Sequence, residues 1–241
     1  MHTDDITLEI VCSGGVSFTK ELQARIAEAY IGEYASGKSE LSINRALELR
    51  KQGRRVNLVD LDTVEPFYTL RPIKKMLEEQ GLNVIAFSKE DTFGLGETGA
   101  MLNPQARWAL LNEGDVILDI GYGVYGAQTL NLVEGIDQTP ELKVLVVLNA
   151  SRPLTNSPAR IKGYLSELGR VDGIVANTHM GDDTTIDIIS AGNQMIIETA
   201  REMQIPVKYF AVDKKFEGLM PTEQLNVPVK YIQRYMPMAI W

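Results

Sequence analysis

Residues Gly32-Glu33-Tyr34-Ala35-Ser36-Gly37-Lys38-Ser39 set two glycines, a lysine and a hydroxyl at the spacing G-x-x-x-x-G-K-[ST]. The flanks give that spacing a physical meaning. The apolar run 26–31 reads as a short buried strand, and 39–49 carries apolar residues along one helical face. Strand, glycine-bounded loop and helix, in that order, turn backbone N–H groups inward. The helix start adds unpaired donors and the positive end of a dipole. Such a cradle binds phosphate, and the expected nucleotide-binding set is Gly32, Glu33, Tyr34, Ala35, Ser36, Gly37, Lys38, Ser39 and Glu40. Lys38 brings a full charge to β- and γ-phosphates, and the Ser39 hydroxyl suits Mg²⁺. The competing reading is a surface loop that happens to carry a lysine.

The rest of the chain alternates apolar runs with helical stretches. Runs at 55–60, 83–87, 115–120, 143–148, 171–176 and 207–212 read as strands, and 68–80, 103–113, 156–169 and 184–203 as helices. The expected fold class is α/β: a mainly parallel sheet of about seven strands, covered by helices on both faces, in the three-layer architecture of P-loop NTPases. Ligands gather at the carboxyl ends of such strands. Residues 1–25 read as an N-terminal extension, in one of two forms. The first is an edge strand at 6–11 with a turn at Gly14-Gly15 and a short helix near 19–25; the second is a flexible leader. Residues 26–241 read as the nucleotide-binding domain, and its apolar tail 231–241 as packing back on the sheet, with a partner-binding segment as the alternative.

Composition narrows the function classes. A single cysteine, Cys12, excludes an internal disulfide, and the acidic start Met1-His2-Thr3-Asp4-Asp5 shows no targeting signal, so a cytoplasmic location is expected. Two histidines, His2 and His179, are too few for a His/Cys metal cage. A net charge of −8 argues against general nucleic-acid binding, and no apolar stretch is long enough for a membrane span.

Other residues fit nucleotide chemistry. Asp60-Leu61-Asp62 ends the second strand beside the phosphate loop, with Asp60 suited to the metal and Asp62 to a water or acceptor hydroxyl. A solvated turn with Asp62 as a cap is the alternative. Asp119-Ile120-Gly121 ends another strand, offering a second metal-side carboxylate at Asp119 and close backbone approach at Gly121. Asn177 ends the 171–176 run with an amide that matches the N6/N7 edge of adenine, or else caps the next helix. His179 reads as surface or ligand-adjacent rather than catalytic. Gly94-Leu95-Gly96-Glu97-Thr98-Gly99 matches G-x-G-x-x-G but stands six residues after its strand, so a loop over the ligand fits better than a dinucleotide fingerprint.

Together, Gly32 to Ser39, Val59-Asp60-Leu61-Asp62, Leu118-Asp119-Ile120-Gly121 and Val175-Ala176-Asn177 resemble the CobQ/CobB/MinD/ParA group of P-loop proteins, over about residues 26–213. The resemblance implies ATP with Mg²⁺, frequent ATP-dependent dimers, and roles from ligase-like chemistry to positioning and metallocentre assembly. It implies phosphate contacts for Lys38, metal for Ser39, Asp60 and Asp119, the attacking water for Asp62, and adenine for Asn177. One position departs: the MinD/ParA branch has a lysine at the second place of the loop, reaching across a dimer, and here stands Glu33. Three readings follow. The first is a Mg²⁺-dependent ATPase or ATP-driven switch with Asp62 and Lys38 catalytic, as a possible homodimer or with a protein partner. The second is a small-molecule kinase or ligase whose acceptor lies under loop 91–104, positioned by Asp62 or Glu97. The third is a binding module with little catalysis. No lysine follows Asn177 and no aspartate comes before Asp182, so ATP is expected over GTP.

Overall fold

The computed structural model describes residues 24–63, 70–87, 102–220 and 226–236, and the backbone of 6–11 and 17–22. Strand β1 (Ile6–Val11) pairs antiparallel with β2 (Ser17–Leu22) in a two-stranded sheet of their own. The expected edge strand of the main sheet is therefore a hairpin arm, and residues of the expected helix near 19–25 form its second arm. The conformation of that second arm follows from its antiparallel register with β1, Ile10 opposite Phe18 and Ile6 opposite Leu22.

The main sheet has eight strands, all parallel. Strand β3 (Ala27–Gly32) lies at its middle. On one side follow β6 (Asp115–Ile120), β4 (Val56–Leu61) and β5 (Asn83–Ile85). On the other are β7 (Leu142–Leu148), β8 (Gly173–Ala176), β9 (Val207–Asp213) and β10 (Val229–Ile232). Seven of these strands sit on the expected runs. The eighth, β10, is short and half-polar (Val229-Lys230-Tyr231-Ile232) and stands at an edge, where a strand is buried on fewer sides and leaves little hydrophobic signature.

The core shows why both faces are covered. Ala29, Ile31, Leu118, Val146 and Ala176 point to one face, beneath α4 (Pro158–Leu168) and α5 (Ile186–Glu202), where Ile161, Leu165, Ile189 and Ile196 are buried. Tyr30, Leu58, Ile117, Val147 and Val175 point to the other, beneath α1 (Lys38–Lys51), with Leu41, Ile43, Ala46 and Leu47. The two-residue alternation of strand side chains divides one continuous apolar run between two cores. The remaining helices are short. The expected helix at 68–80 is a 3-10 turn, Arg71–Ile73, followed by α2 (Lys74–Glu79), because Pro72 at the start of the turn lacks the N–H needed further into a helix. Residues Pro104–Leu111 are 3-10 rather than α, and α3 (Gly123–Gln128) follows β6.

A parallel sheet sends the loops after every strand to one edge. Gly32, Leu61, Ile120, Leu148, Ala176 and Asp213 end their strands there, and the site forms among the residues that follow.

Candidate functional site

The loop after β3 wraps the start of α1. Gly32 has φ +152°, and a Cβ there would stand 2.5 Å from the Val147 carbonyl oxygen. Gly37 caps α1 at φ +95°, where a Cβ would lie 2.2 Å from Asn177 Nδ2. Both positions exclude a side chain sterically, and both φ angles disfavour one. Because the cap is glycine, no side chain closes the helix start. Ala35 joins them in the left-handed region at φ 50°. Left-handed residues interspersed among right-handed ones give the nest geometry that turns N–H groups toward one anion. Lys38 is 7 % exposed, its Nζ donating 3.1 Å to the Glu33 carbonyl across the mouth of the loop. Ser36 Oγ is buried with no hydrogen-bond partner among the described residues.

Two carboxylates face this loop from the sheet. Asp60 on β4 and Asp119 on β6 are register partners, nearly or fully buried. Burial, then the Asp60 charge, pushes the Asp119 carboxyl up to about 8, against a hydrogen bond from Ser39 and the Lys38 charge. Two neighbouring buried carboxylates disfavour joint ionisation. Ser42 Oγ reaches Asp119 Oδ1 at 3.5 Å, and Asp119 Oδ2 has no hydrogen-bond partner among the described residues. Arg71 Nε lies 3.5 Å from Asp60 Oδ2, and the Asp62 N–H donates to Asp60 Oδ1 at 3.0 Å. The structure thus gathers Lys38, Ser39, Asp60, Asp62 and Asp119 at one strand edge. Among the described residues no three His, Cys, Asp or Glu side chains form an all-protein metal cage. The oxygen set of Ser39, Asp60 and Asp119, with one carboxylate oxygen unmatched, fits Mg²⁺, which takes few protein ligands beside waters and phosphate oxygens.

Two expected ligand residues are engaged in the fold. Asn177 Nδ2 donates 2.8 Å to the Ser36 carbonyl, so one of its two N–H groups holds the phosphate loop. Glu40, placed in the phosphate set, turns to the C-terminal segment and accepts the N–H groups of Tyr235 (2.7 Å) and Met236 (2.8 Å). Burial raises its pKa against those two bonds. Gly121 is buried under α3, whose Gly126 approaches so closely that a Cβ would meet the Gly121 oxygen at 2.1 Å. Glu97 and the glycines 94–99 lie outside the described residues, as do Cys12, His2 and the tail beyond Met236.

Beside the loop opens a pocket of about 480 Å³, counting its solvent mouth, between the ends of β8, β9 and β10. Gly37, Thr178, His179, Ile189, Asp213 and Arg234 are among its lining. Burial first, then Arg152 and Arg234, lower His179 to about 4, so it is neutral at pH 7 and no general base of ordinary strength. Arg71, Arg152, Asp213 and Arg234 are absent from the sequence-based set. Arg152, Asp213 and Arg234 come from the ends of β7, β9 and β10, Arg71 from the 3-10 turn before α2, and no linear spacing connects them.

A glycine-capped, lysine-bearing helix start after the central strand of a parallel sheet, with a pocket opening beside it, defines the P-loop NTPase fold. No protein-family model matches the chain, and no curated protein does either. Solved structures do. FtsY from Thermotoga maritima, a cell division protein, superposes with a TM-score of 0.52 at 21% identity, covering 79% of this chain and 63% of that one. The signal recognition particle receptor FtsY from Elizabethkingia anophelis, in complex with GDP, gives 0.56 at 18%, covering 83% and 60%. Chloroplast FtsY from Physcomitrella patens gives 0.52 at 19%, covering 78% and 59%. The chain spans about three-fifths of the length of each. These neighbours are FtsY proteins rather than members of the CobQ/CobB/MinD/ParA group that the motifs resemble. The shared feature is the fold. No helix among the described residues is long and apolar enough to cross a membrane.

Proposed function

We propose that this chain is a Mg²⁺-dependent, nucleoside triphosphate-driven switch of CobQ/CobB/MinD/ParA type, with ATP as its nucleotide. The observation that carries the reading is the meeting of two things at one sheet edge: the left-handed, side-chain-free start of α1 with Lys38, and the facing pair Asp60 and Asp119. In this reading Lys38 leaves the Glu33 carbonyl for phosphate oxygens, and the loop N–H groups take the rest of the anion. Ser39, Asp60 and Asp119 hold the metal directly or through water, and bound Mg²⁺ supplies charge neutralisation on the β- and γ-phosphates. Asp62 follows Asp60 by two residues, with its N–H fixed by that carboxylate, and orients the attacking water. A γ-phosphate engaged by the strand ends at Asp62 and Gly121 provides the switch.

A specific observation favours a second reading of the base. Asp213 lines the pocket with an acceptor-only carboxylate, the group that pairs with the N1 and N2 donors of guanine. It accepts from the Lys215 N–H at 3.0 Å through one oxygen, which leaves the other for a base. GDP is the nucleotide in the Elizabethkingia FtsY structure. Calorimetric competition of ATP against GTP, with and without Mg²⁺, tests both readings. ATP preference supports the first, GTP preference the second, and binding of neither overturns the nucleotide function. Turnover measured alone and then with metabolite pools separates a hydrolase from an acceptor-dependent kinase or ligase.

A further inference from the structure

The phosphate loop is poor in positive charge for its task. Within Gly32 to Ser39, Lys38 is offset by Glu33, and Asp60 and Asp62 add negative charge nearby. Two of the arginines around the site are engaged with carboxylates: Arg71 lies against Asp60, and Arg234 Nη1 donates to Asp182 at 2.7 Å. Arg152 is different. It forms no ion pair among the described residues, although burial penalises its charge and lowers its pKa. Its Nε donates 3.1 Å to the Ala35 carbonyl, inside the loop, while Nη2 is buried with no hydrogen-bond partner among the described residues. The Tyr34 and His179 side chains are its electrostatic neighbours.

The turn that carries Arg152 is rigid. Fully buried Asn149 accepts the Ser151 N–H at 2.9 Å and the His179 N–H at 3.2 Å, and donates to the His179 carbonyl at 3.0 Å. The Asn149 carbonyl also accepts the Arg152 N–H at 3.0 Å and the Thr155 hydroxyl at 2.6 Å. A guanidinium held this firmly, half-desolvated and without an anion, is preorganised for one.

We propose that Arg152 is the second phosphate-binding cation of this site, holding the Ala35 carbonyl through Nε and the anionic chain of a nucleoside triphosphate through Nη2. It rests on the nucleotide reading above and deepens it. The charge that a lysine at the position of Glu33 would deliver from a second subunit is delivered here from the chain's own β7–α4 turn.

The test is calorimetric titration of the full chain with ATP, ADP and AMP in Mg²⁺, comparing wild type, Arg152→Gln and Arg152→Lys, with a thermal melt of each. Glutamine can still donate to the Ala35 carbonyl but carries no charge. Loss of one charge-assisted phosphate contact should weaken ATP by about 10- to 100-fold in Arg152→Gln. ADP should lose less and AMP least, with Arg152→Lys retaining part of the ATP affinity. Equal ATP affinity in wild type and Arg152→Gln overturns the inference and leaves Arg152 a clamp on the loop. So does an equal loss for ATP and AMP, since a distorted loop does not count phosphates. A wild-type chain that binds no nucleotide overturns the nucleotide reading and this inference with it.

Discussion

Glu40→Gln tests how the nucleotide pocket is held together. Glu40 is 2 % exposed and accepts two backbone N–H groups, from Tyr235 and Met236, which fix the C-terminal segment against the first turn of α1. Each such bond to a carboxylate is worth about 1.5–3 kcal/mol. Glutamine keeps one acceptor oxygen and sets its own N–H₂ against the second backbone N–H, so one bond is lost and a buried donor is left unmatched. Removing a charge that burial disfavours returns part of that loss. The net destabilisation should be about 1–3 kcal/mol. Asn44 still holds Gln233 through two bonds of 2.8 and 2.9 Å, so the segment should loosen rather than detach. Urea denaturation reads the global term, and amide hydrogen exchange at Tyr235 and Met236 reads the local one, which should rise first. Because Ile232 and Arg234 of the same segment line the pocket, ATP affinity should fall while affinity for inorganic triphosphate stays. Unchanged exchange at both amides, with ATP affinity equal to wild type, would refute the clamp.

Lys38→Ala should lower ATP affinity by at least the worth of one charge-assisted phosphate contact, about 1.5–3 kcal/mol, and calorimetry showing unchanged affinity would remove the phosphate-loop assignment. Asp119→Asn should behave as a permanently protonated Asp119. The folded carboxyl stands at about 8 against an ordinary 3.8, so the stability this group contributes is full below about pH 4 and is lost as pH rises toward 8. In chelator and without nucleotide, the Asn variant should therefore gain on wild type across that window by up to about 1.4 kcal/mol per pH unit, while losing Mg²⁺-dependent ATP affinity; parallel stability–pH curves count against it. Gly37→Ala, strained at φ +95° and pressed on Asn177, should cost about 1–3 kcal/mol and abolish nucleotide binding, whereas a wild-type melting temperature and affinity would contradict the loop geometry. Asp213→Asn should erase a GTP preference if that carboxylate reads the base and leave ATP affinity nearly unchanged, as competition titration will show.

Some of this protein is written in local sequence. The loop Gly32 to Ser39 announced itself because its chemistry is contiguous: backbone conformation, lysine and hydroxyl lie within eight residues. The β6 run 115–120 and its terminal Asp119 were legible for a related reason, since a strand buried on both faces is a continuous apolar run and the residue ending it is conspicuous. The edge strand β10 and the hairpin arm Ser17–Leu22 were not, being short or half-polar segments whose conformation is set by what they pair with. The same division runs through the site. Sequence named Asp60 and Asp119 separately, but only the register of β4 against β6 sets them side by side and raises one of them. Sequence offered Asn177 to a base and Glu40 to a phosphate; only packing shows that the Asn177 side chain also holds the Ser36 carbonyl and that the Glu40 carboxylate holds Tyr235 and Met236. Arg152 and Asp213 carried no signal at all, because a parallel sheet collects the ends of distant strands at one edge and a side chain's duty there depends on neighbours more than a hundred residues away, as Arg152 and Ala35 are. Local sequence fixed what was spelled within one turn of chain, and the partnerships between turns were decided only when the sheet brought them together.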